Sequence, residues 1–255
     1  MGLNARTAAR SQRRPTTAAL LVLALAVSAT SCRRKSDRQR VLPDHVDLAA
    51  LRAVYGEALY SQDDEETLIR AFFQDRRGGV FLDVGAGDPI RHSTTYYLEK
   101  HLGWTGIAVD AIAEYADAYA KDRPGTRFFA YFAGNKSAAV HDFFVSEDRN
   151  FSSATGADPR GGVYRKRKVA TIALDDLLKR EQVSHLDFLS MDIEGSEPLA
   201  LAGLDVARYR PELVCVEISS PEIGRTIAEY FALRDCPEVS AYRAVDGINR
   251  YYTCR

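Results

Sequence analysis

One stretch of the chain reads Phe81-Leu-Asp-Val-Gly-Ala-Gly-Asp88, an apolar run that leads into a turn with two glycines. Glycine lets the backbone turn tightly and lets a ligand approach the main chain closely. In parallel α/β sheets such ligands bind at the carboxyl ends of the strands, where this turn would lie. The stretch therefore predicts a nucleotide-like binding site after the first strand of a parallel sheet.

Short apolar runs alternate with helical stretches on the C-terminal side of this turn, as in parallel α/β proteins. The predicted strands cover residues 80–84, 106–109, 128–132, 187–190 and 213–218. The predicted helices between them cover residues 94–101, 111–121, 174–179 and 198–204. Near the end, residues 239–243 and 250–254 flank Asp246-Gly247, a pair typical of tight hairpins. We therefore expect an α/β fold with a mainly parallel sheet and a C-terminal antiparallel hairpin.

The residues of the turn distinguish two classes of cofactor. A dinucleotide-binding turn would have a third glycine at position 90, where this chain has Ile90. Binding of S-adenosylmethionine requires only an acidic residue followed by Gly-x-Gly, and Asp83, Gly85 and Gly87 fit that pattern. The turn thus favours S-adenosylmethionine, and a purely structural strand-to-helix turn is the alternative.

A second motif, Gly106-Ile-Ala-Val-Asp110, ends the next predicted strand with an acidic residue. Asp110 follows the glycine turn by about 20 residues, the separation at which a carboxylate can accept hydrogen bonds from ribose hydroxyls. The predicted cofactor-binding residues are therefore Asp83, Gly85, Gly87 and Asp110.

The third motif, Met191-Asp-Ile-Glu-Gly-Ser-Glu197, brings three carboxylates to the end of a predicted buried strand. Such groups repel one another unless a shared proton, a bound cation or solvent compensates their charge. We assign Asp192 as the catalytic base and Glu194 as the second candidate, with Glu217 as a further possibility. Glu197 is expected to stabilise the start of a helix.

A metal is not part of this preferred interpretation. In a metal-assisted alternative, Asp192 and its neighbours hold Mg²⁺, which lowers the pKa of the acceptor. The cysteines and histidines lack the spacing of zinc ligands.

Four further stretches share an order along the chain with these three motifs. They are Tyr60-Ser-Gln-Asp-Asp-Glu-Glu66, Thr95-Tyr-Tyr-Leu-Glu-Lys-His-Leu-Gly-Trp-Thr-Gly106, Thr171-Ile-Ala-Leu-Asp-Asp-Leu-Leu178 and Arg210-Pro-Glu-Leu-Val-Cys-Val-Glu217. Through these four stretches, the glycine turn and the acidic motif, the chain resembles the FkbM family of methyltransferases. It departs from the family pattern at Asp63-Asp64, Asp88-Pro89 and Asp110-Ala111.

The resemblance implies a Rossmann-like class I methyltransferase fold and S-adenosylmethionine as the methyl donor. It also implies O-methylation of a hydroxyl on a small molecule or a sugar (glycan) acceptor. The alternative is a catalytically idle Rossmann-like binding module associated with the membrane or the cell envelope.

The charge balance argues against a nucleic-acid partner, because 34 basic and 35 acidic residues give a formal net charge of −1. The charges are unevenly placed, because the chain has nine basic residues and a single acidic one, Asp37, before residue 41. Together with the motifs, this asymmetry predicts a targeting segment at 1–40, a helical lead-in at 41–79 and the methyltransferase domain at 80–255.

The targeting segment contains the apolar run Ala18-Ala-Leu-Leu-Val-Leu-Ala-Leu-Ala-Val27, which suits a signal-peptide core. Cys32 follows small residues and resembles the modified cysteine of bacterial lipoproteins. The basic residues after Cys32 favour an uncleaved anchor instead, and a mis-assigned start with a basic tail is the third interpretation. We expect membrane association through residues 15–32, on a side left open. Cys236 and Cys254 could pair if the domain is exported.

Overall fold

Two sheets organise the fold in the computed structural model, which describes residues 45–146, 152–154 and 163–254. The strands are β1 (Val80–Val84), β2 (Thr105–Asp110), β3 (Thr126–Ala130), β4 (Phe132–Gly134), β5 (Val140–Ser146), β6 (Tyr164–Ala173), β7 (Phe188–Met191), β8 (Leu213–Glu217) and β9 (Asn249–Tyr252). The larger sheet has the order β3-β2-β1-β7-β8-β9, and all its pairs are parallel except β8 with β9. The smaller sheet has the order β4-β6-β5.

Helices connect and cover these strands. They are α1 (Leu48–Tyr55), α2 (Glu65–Phe73), α3 (Tyr96–Leu102), α4 (Ala116–Asp122), α5 (Leu174–Arg180), α6 (Glu197–Leu201), α7 (Val206–Tyr209), α8 (Pro221–Ala232) and α9 (Ser240–Arg243), with a 3₁₀ turn at Ala113–Tyr115. Helix α8 begins after Ser220, whose hydroxyl accepts a hydrogen bond from the Ile223 N–H at 3.3 Å. This cap and Pro221 at the first helical position explain why the helix starts there.

The central strands are buried on both faces, as expected for parallel strands covered by helices. Leu82 and Val84 of β1 belong to one apolar cluster with Leu189 of β7 and Val214 of β8. Phe81 of β1 belongs to a second cluster on the opposite face. Because both faces of these strands are buried, their register is fixed. The register decides which residue of each strand lies at the carboxyl edge of the sheet.

The helical lead-in packs against this second face. Leu68, Ile69 and Phe72 of α2 are buried in the cluster that contains Phe81. The Arg52 guanidinium binds both carboxylate oxygens of Asp64 at 2.7 Å, so α1 is joined to the start of α2. The lead-in is therefore part of the folded unit that carries the sheet.

Most predicted elements are confirmed, with three differences. The strand predicted at 128–132 is divided between β3 and β4, because Tyr131 interrupts it. Strand β6 begins at Tyr164, in a region where the sequence predicts no strand.

The third difference concerns the C-terminal hairpin. The antiparallel pair exists, but the partner of β9 is β8. The assignment of 239–243 as its first strand is wrong, because Ser240–Arg243 forms α9 and only Glu238 bridges Tyr252. A disulfide joins Cys236 to Cys254 in this region.

The expected targeting segment at 1–40, with Cys32 and the membrane-associating residues 15–32, lies outside the described residues. Within the described ranges, no helix combines the length and apolar character needed to cross a membrane.

Candidate active site

A cavity of about 440 Å³ lies at the carboxyl edge of the larger sheet. Residues at the ends of four adjacent strands line it, among them Val84 of β1, Asp110 of β2, Met191 of β7 and Glu217 of β8. Its size is within the range of small-molecule and cofactor sites. The glycine turn, Asp110 and Asp192 therefore meet in one cavity, as the sequence predicts.

The glycine turn is held against the end of β7. The Gly85 N–H donates a hydrogen bond to the Val109 carbonyl at 2.8 Å, and Gly85 has φ +81°. A Cβ atom at Gly85 would lie 1.7 Å from the Asp192 carbonyl oxygen. Gly87 also has a positive φ, +54°, but no such obstruction. Gly85 is thus required for close packing of two backbones as well as for the turn.

Asp110 connects the glycine turn to the loop after β2. Its Oδ2 accepts a hydrogen bond from the Gly87 N–H at 2.9 Å, and its Oδ1 accepts one from the Ile112 N–H at 2.7 Å. Burial raises the pKa of Asp110 to about 6, and the negative charges of Asp83 and Asp192 add to this effect. Each carboxylate oxygen can accept a second hydrogen bond. The Asp110 carboxylate can therefore hold the turn and bind a ribose hydroxyl at the same time.

Asp83 lies behind the turn, is only 4% exposed and does not line the cavity. Its Oδ2 accepts a hydrogen bond from the Thr95 hydroxyl at 2.6 Å. Burial raises the pKa of Asp83 to about 6, although the Thr95 bond and the charge of Arg123 oppose the increase. These contacts are those of a residue that supports the turn, and its direct contact with a cofactor stays a prediction.

The buried Arg123 extends this support. Its guanidinium donates hydrogen bonds to the Thr95 hydroxyl at 3.1 Å and to the Glu99 carboxylate at 2.5 Å. Nothing in the local sequence around Arg123 indicates this role, because its partners come from other elements. This role of Arg123 could therefore not be predicted from the sequence.

The carboxyl groups of Asp192 and Glu217 are hydrogen-bonded to each other. Burial and the negative charge of Asp192 together raise the pKa of Glu217 to about 9. Asp192 lines the cavity, but the protein around it removes water from its carboxyl group and so raises its pKa, while the Glu194 N–H donates to its carboxylate and opposes the increase. The two groups therefore share a proton near neutral pH, which is one of the three compensations expected from the sequence.

Glu194 lines the cavity beside Asp192, with a left-handed backbone at φ +53°. The partner that the fold gives to Asp192 is Glu217, at the end of the neighbouring strand. Glu194, the second candidate for the base, is close to Asp192 in sequence, whereas the parallel pairing of β7 and β8 brings Glu217 beside Asp192.

Glu197 has a more specific position than a helix start requires. Its Oε1 accepts hydrogen bonds from the Ile193 N–H at 2.9 Å and the Gly195 N–H at 3.2 Å. The side chain is 0% exposed, and Oε2 has no hydrogen-bond partner among the described residues. Glu197 therefore shapes the acidic loop and leaves one buried oxygen available.

The lead-in and the C-terminal region also line the cavity, which the strand-end motifs do not indicate. The residues from these two regions are Gln62, Asp63, Glu65, Ile248 and Asn249. The Asn249 side-chain amide donates a hydrogen bond to Glu65 Oε1 at 3.2 Å, so the two regions form one wall. In the sequence, this wall is indicated only by the stretch Tyr60–Glu66, which contributes to the family resemblance.

Comparison with known proteins gives one family match. The family model described as the methyltransferase FkbM domain matches residues 83–237. No curated protein sequence matches the chain.

Several solved structures are similar to the chain. A TehB-like SAM-dependent methyltransferase from Corynebacterium glutamicum has 14% identity and a TM-score of 0.44, with 81% of this chain and 94% of that chain covered. An O-methyltransferase from Bacillus cereus has 13% identity and a TM-score of 0.40, with coverages of 81% and 88%. A precorrin-6y C5,15-methyltransferase from Geobacter metallireducens has 13% identity and a TM-score of 0.42, with coverages of 69% and 73%.

Proposed function

The chain belongs to the FkbM family of methyltransferases, and from this premise we propose that it methylates a hydroxyl group on a small molecule or a sugar. The methyl donor in this proposal is S-adenosylmethionine. One observation carries the proposal: the glycine turn with Asp110 and the acidic residue Asp192 line the same cavity. A donor seated on the turn would thus have a proton acceptor beside it.

Gly85, Gly87 and Asp110 are the proposed donor-binding residues that line the cavity, and Asp83 supports them from behind. The Asp110 carboxylate accepts hydrogen bonds from the nucleoside ribose, at the lone pairs that the Gly87 and Ile112 N–H groups leave open. An apolar wall of Ile112, Tyr115, Phe132 and Phe143 lines the same cavity and suits a purine ring.

The reaction is an in-line displacement. The acceptor oxygen forms a bond to the methyl carbon while the carbon–sulfur bond breaks, and S-adenosylhomocysteine leaves. The hydroxyl proton passes to the Asp192 carboxylate, with Glu194 as the second candidate. Because the sulfonium is already a good leaving group, the protein contributes alignment and proton removal.

The acceptor enters from the wall formed by the lead-in and the C-terminal region. Gln62, Asp63 and Asn249 present polar groups there, and Ile248 presents an apolar one. These groups suit a hydroxylated small molecule or a glycan unit better than a nucleic-acid chain, since acidic side chains predominate in the cavity.

For the chain as a whole, we propose a segment at 1–40, a lead-in at 41–79 and a methyltransferase domain at 80–255. Membrane association occurs through residues 15–32, as a lipoprotein modified at Cys32 or as an uncleaved anchor. The Cys236–Cys254 disulfide is consistent with an oxidising compartment.

That disulfide also favours a second candidate, a catalytically idle binding module at the membrane or cell envelope. A nucleotide-like methyl donor is expected mainly in the cytoplasm, where disulfides are rare.

Binding of S-adenosylhomocysteine separates the two candidates. A methyltransferase binds this product and gains thermal stability as its concentration rises. Transfer of labelled methyl groups from S-adenosylmethionine to hydroxylated small molecules and sugars then tests the acceptor class. Absence of a thermal shift at millimolar S-adenosylhomocysteine would overturn the enzymatic proposal.

A further inference from the structure

We propose that Asp192, Glu197 and Glu217 bind a divalent cation at the edge of the cavity, which Asp192 and Glu217 line. The chemical class is a hard cation that prefers oxygen ligands, of the size of Ca²⁺ or Mn²⁺. The site shares the cavity with the proposed methyl transfer, but the cation binds to groups of the protein alone. Its binding can therefore be measured without a methyl donor or an acceptor.

The distances between the three carboxylates carry the first part of this inference. One oxygen from each residue lies within 4.8 Å of the other two. Oxygens on opposite sides of one ion are about 4.6–5.2 Å apart for Ca²⁺ and about 4.0–4.2 Å apart for Mg²⁺. The three oxygens can thus contact one ion of calcium size without a backbone shift, whereas Mg²⁺ requires the side chains to close slightly.

The second observation that supports the cation site is the Oε2 atom of Glu197. This side chain is 0% exposed, and its Oε1 is fixed by the Ile193 and Gly195 N–H groups. Its Oε2 is buried without a hydrogen-bond partner among the residues described. A buried carboxylate oxygen without a partner is costly, and a bound cation would remove that cost.

No basic side chain neutralises this group in the described part of the chain. Arg91 and His92 are the basic residues that line the cavity there, both are exposed, and Arg91 lies 3.9 Å from Asp88. Asp192 is exposed to the cavity, so an ion can enter and keep positions for water or for acceptor oxygens.

A second group of possible ligands shows the contrast. His185, Asp187 and Glu212 also cluster, at the other end of β7. There the Arg76 guanidinium binds Asp187 at 2.9 Å and Glu212 at 2.6 Å. That cluster is paired with the Arg76 cation, whereas no cationic side chain of the described residues pairs with the triad of Asp192, Glu197 and Glu217.

Titration of the chelator-treated full-length protein with Mn²⁺, in the absence of methyl donor, tests the proposal. The electron paramagnetic resonance signal of free Mn²⁺ should show one ion bound per chain, and Ca²⁺ should displace it. Glu197→Gln should weaken binding by at least about tenfold, because it removes the charge of one ligand. Glu222→Gln, at an exposed position on α8, is the matched control and should bind like the wild type.

Glu217→Gln provides a second variant if Glu197→Gln does not fold, and retention of the S-adenosylhomocysteine thermal shift establishes folding. Absence of Mn²⁺ binding at millimolar concentration, or equal affinity in the folded variants and the control, overturns the cation site. Neither result affects the methyltransferase proposal if S-adenosylhomocysteine still binds. Conversely, Mn²⁺ binding without S-adenosylhomocysteine binding supports the site and overturns that proposed function.

Discussion

The carbonyl oxygen of Asp192 occupies the space that a side chain at Gly85 would need, at 1.7 Å from an ideal Cβ position. The strand that carries the proposed base and the turn that carries the donor are therefore in direct backbone contact. A change at either residue is transmitted to the other, because closely packed interiors cannot absorb such a shift locally.

Gly85→Ala should destabilise the domain and abolish binding of S-adenosylhomocysteine. The added methyl group meets backbone atoms, and over-packing of this kind costs about 1–3 kcal/mol in the free energy of unfolding. Gly87→Ala is the matched control, because it has a positive φ without the obstruction and should cost about 1 kcal/mol. Urea unfolding and thermal shift with S-adenosylhomocysteine measure both effects. Equal losses in the two variants would contradict the proposed contact.

Asp192→Asn should bind S-adenosylhomocysteine almost normally and lose about 10²–10⁴-fold in turnover, since a positioned base acts mainly in the transition state. The measurement is the rate of methyl transfer to an identified acceptor, with calorimetry for product binding. Glu194→Gln should lose less, because Glu194 is the second candidate. A variant that unfolds or fails to bind the product would make Asp192 structural, and the base would then be sought at Glu194 or Glu217.

Asp110→Ala should show the opposite pattern and weaken product binding first. The substitution removes the acceptor of the Gly87 and Ile112 N–H bonds as well as the proposed ribose contact. Hydrogen bonds to charged groups contribute about 1.5–3 kcal/mol each, which predicts about a 10–100-fold loss of affinity. Calorimetric titration with S-adenosylhomocysteine tests this expectation. Wild-type affinity in the folded variant would exclude Asp110 from donor binding.

Asp83→Asn should change how stability depends on pH. The folded pKa of Asp83, about 6, is above its ordinary value of 3.8, so the fold favours the protonated form. Protonation of Asp83 therefore contributes to the free energy of unfolding. This contribution is fully present below pH 3.8 and is lost as the pH rises through about 6. Asparagine stays neutral and can still accept the Thr95 hydrogen bond. The variant should therefore gain about 2.4 kcal/mol relative to the wild type between pH 4 and pH 7.

Urea unfolding of both proteins at the two pH values measures this gain, since the difference between them cancels the titration of other groups. Asp235→Asn is a suitable control, at an exposed position whose left-handed backbone asparagine also adopts. A difference between Asp83→Asn and the wild type that does not change with pH would show that Asp83 is ionised without cost in the fold.

Cys32→Ser should release the protein from membranes or leave it as an unprocessed precursor, if Cys32 is the lipidated residue. Fractionation of cells and the apparent mass of the protein provide the measurement. An unchanged membrane fraction together with an unchanged mass would identify residues 15–32 as an uncleaved anchor.

The central strands could be predicted because their residues are apolar and buried on both faces. Strand β6 could not be located in the same way, since Arg165 to Lys168 are charged and exposed and carry no apolar alternation. The sequence predicts a strand in place of helix α9, because four residues are too few to show a helical period of apolar residues. Its position depends on the burial of Tyr242, whose hydroxyl donates to the Leu68 carbonyl on α2 at 3.4 Å.

In the candidate site as well, some residues can be placed from the local sequence and others only from the fold. Asp110 and Asp192 could be placed because each directly follows a recognisable strand, so its location depends on local sequence. Glu217 is brought to its partner Asp192 by the pairing of β7 with β8. The partners of Asp83, Thr95 and Arg123, come from later parts of the chain. Glu197 could be assigned to a helix start, but its unpartnered buried oxygen is a property of the folded loop.

The wall of Gln62, Asp63, Glu65, Ile248 and Asn249 has a consequence for specificity. All five residues lie outside residues 83–237, the segment that the family model matches, while the glycine turn, Asp110 and the acidic loop lie inside it. In the proposed function, separate stretches of the chain therefore contact the acceptor and the donor. We expect substitutions in the two flanking stretches to change which acceptors react while binding of the donor is retained.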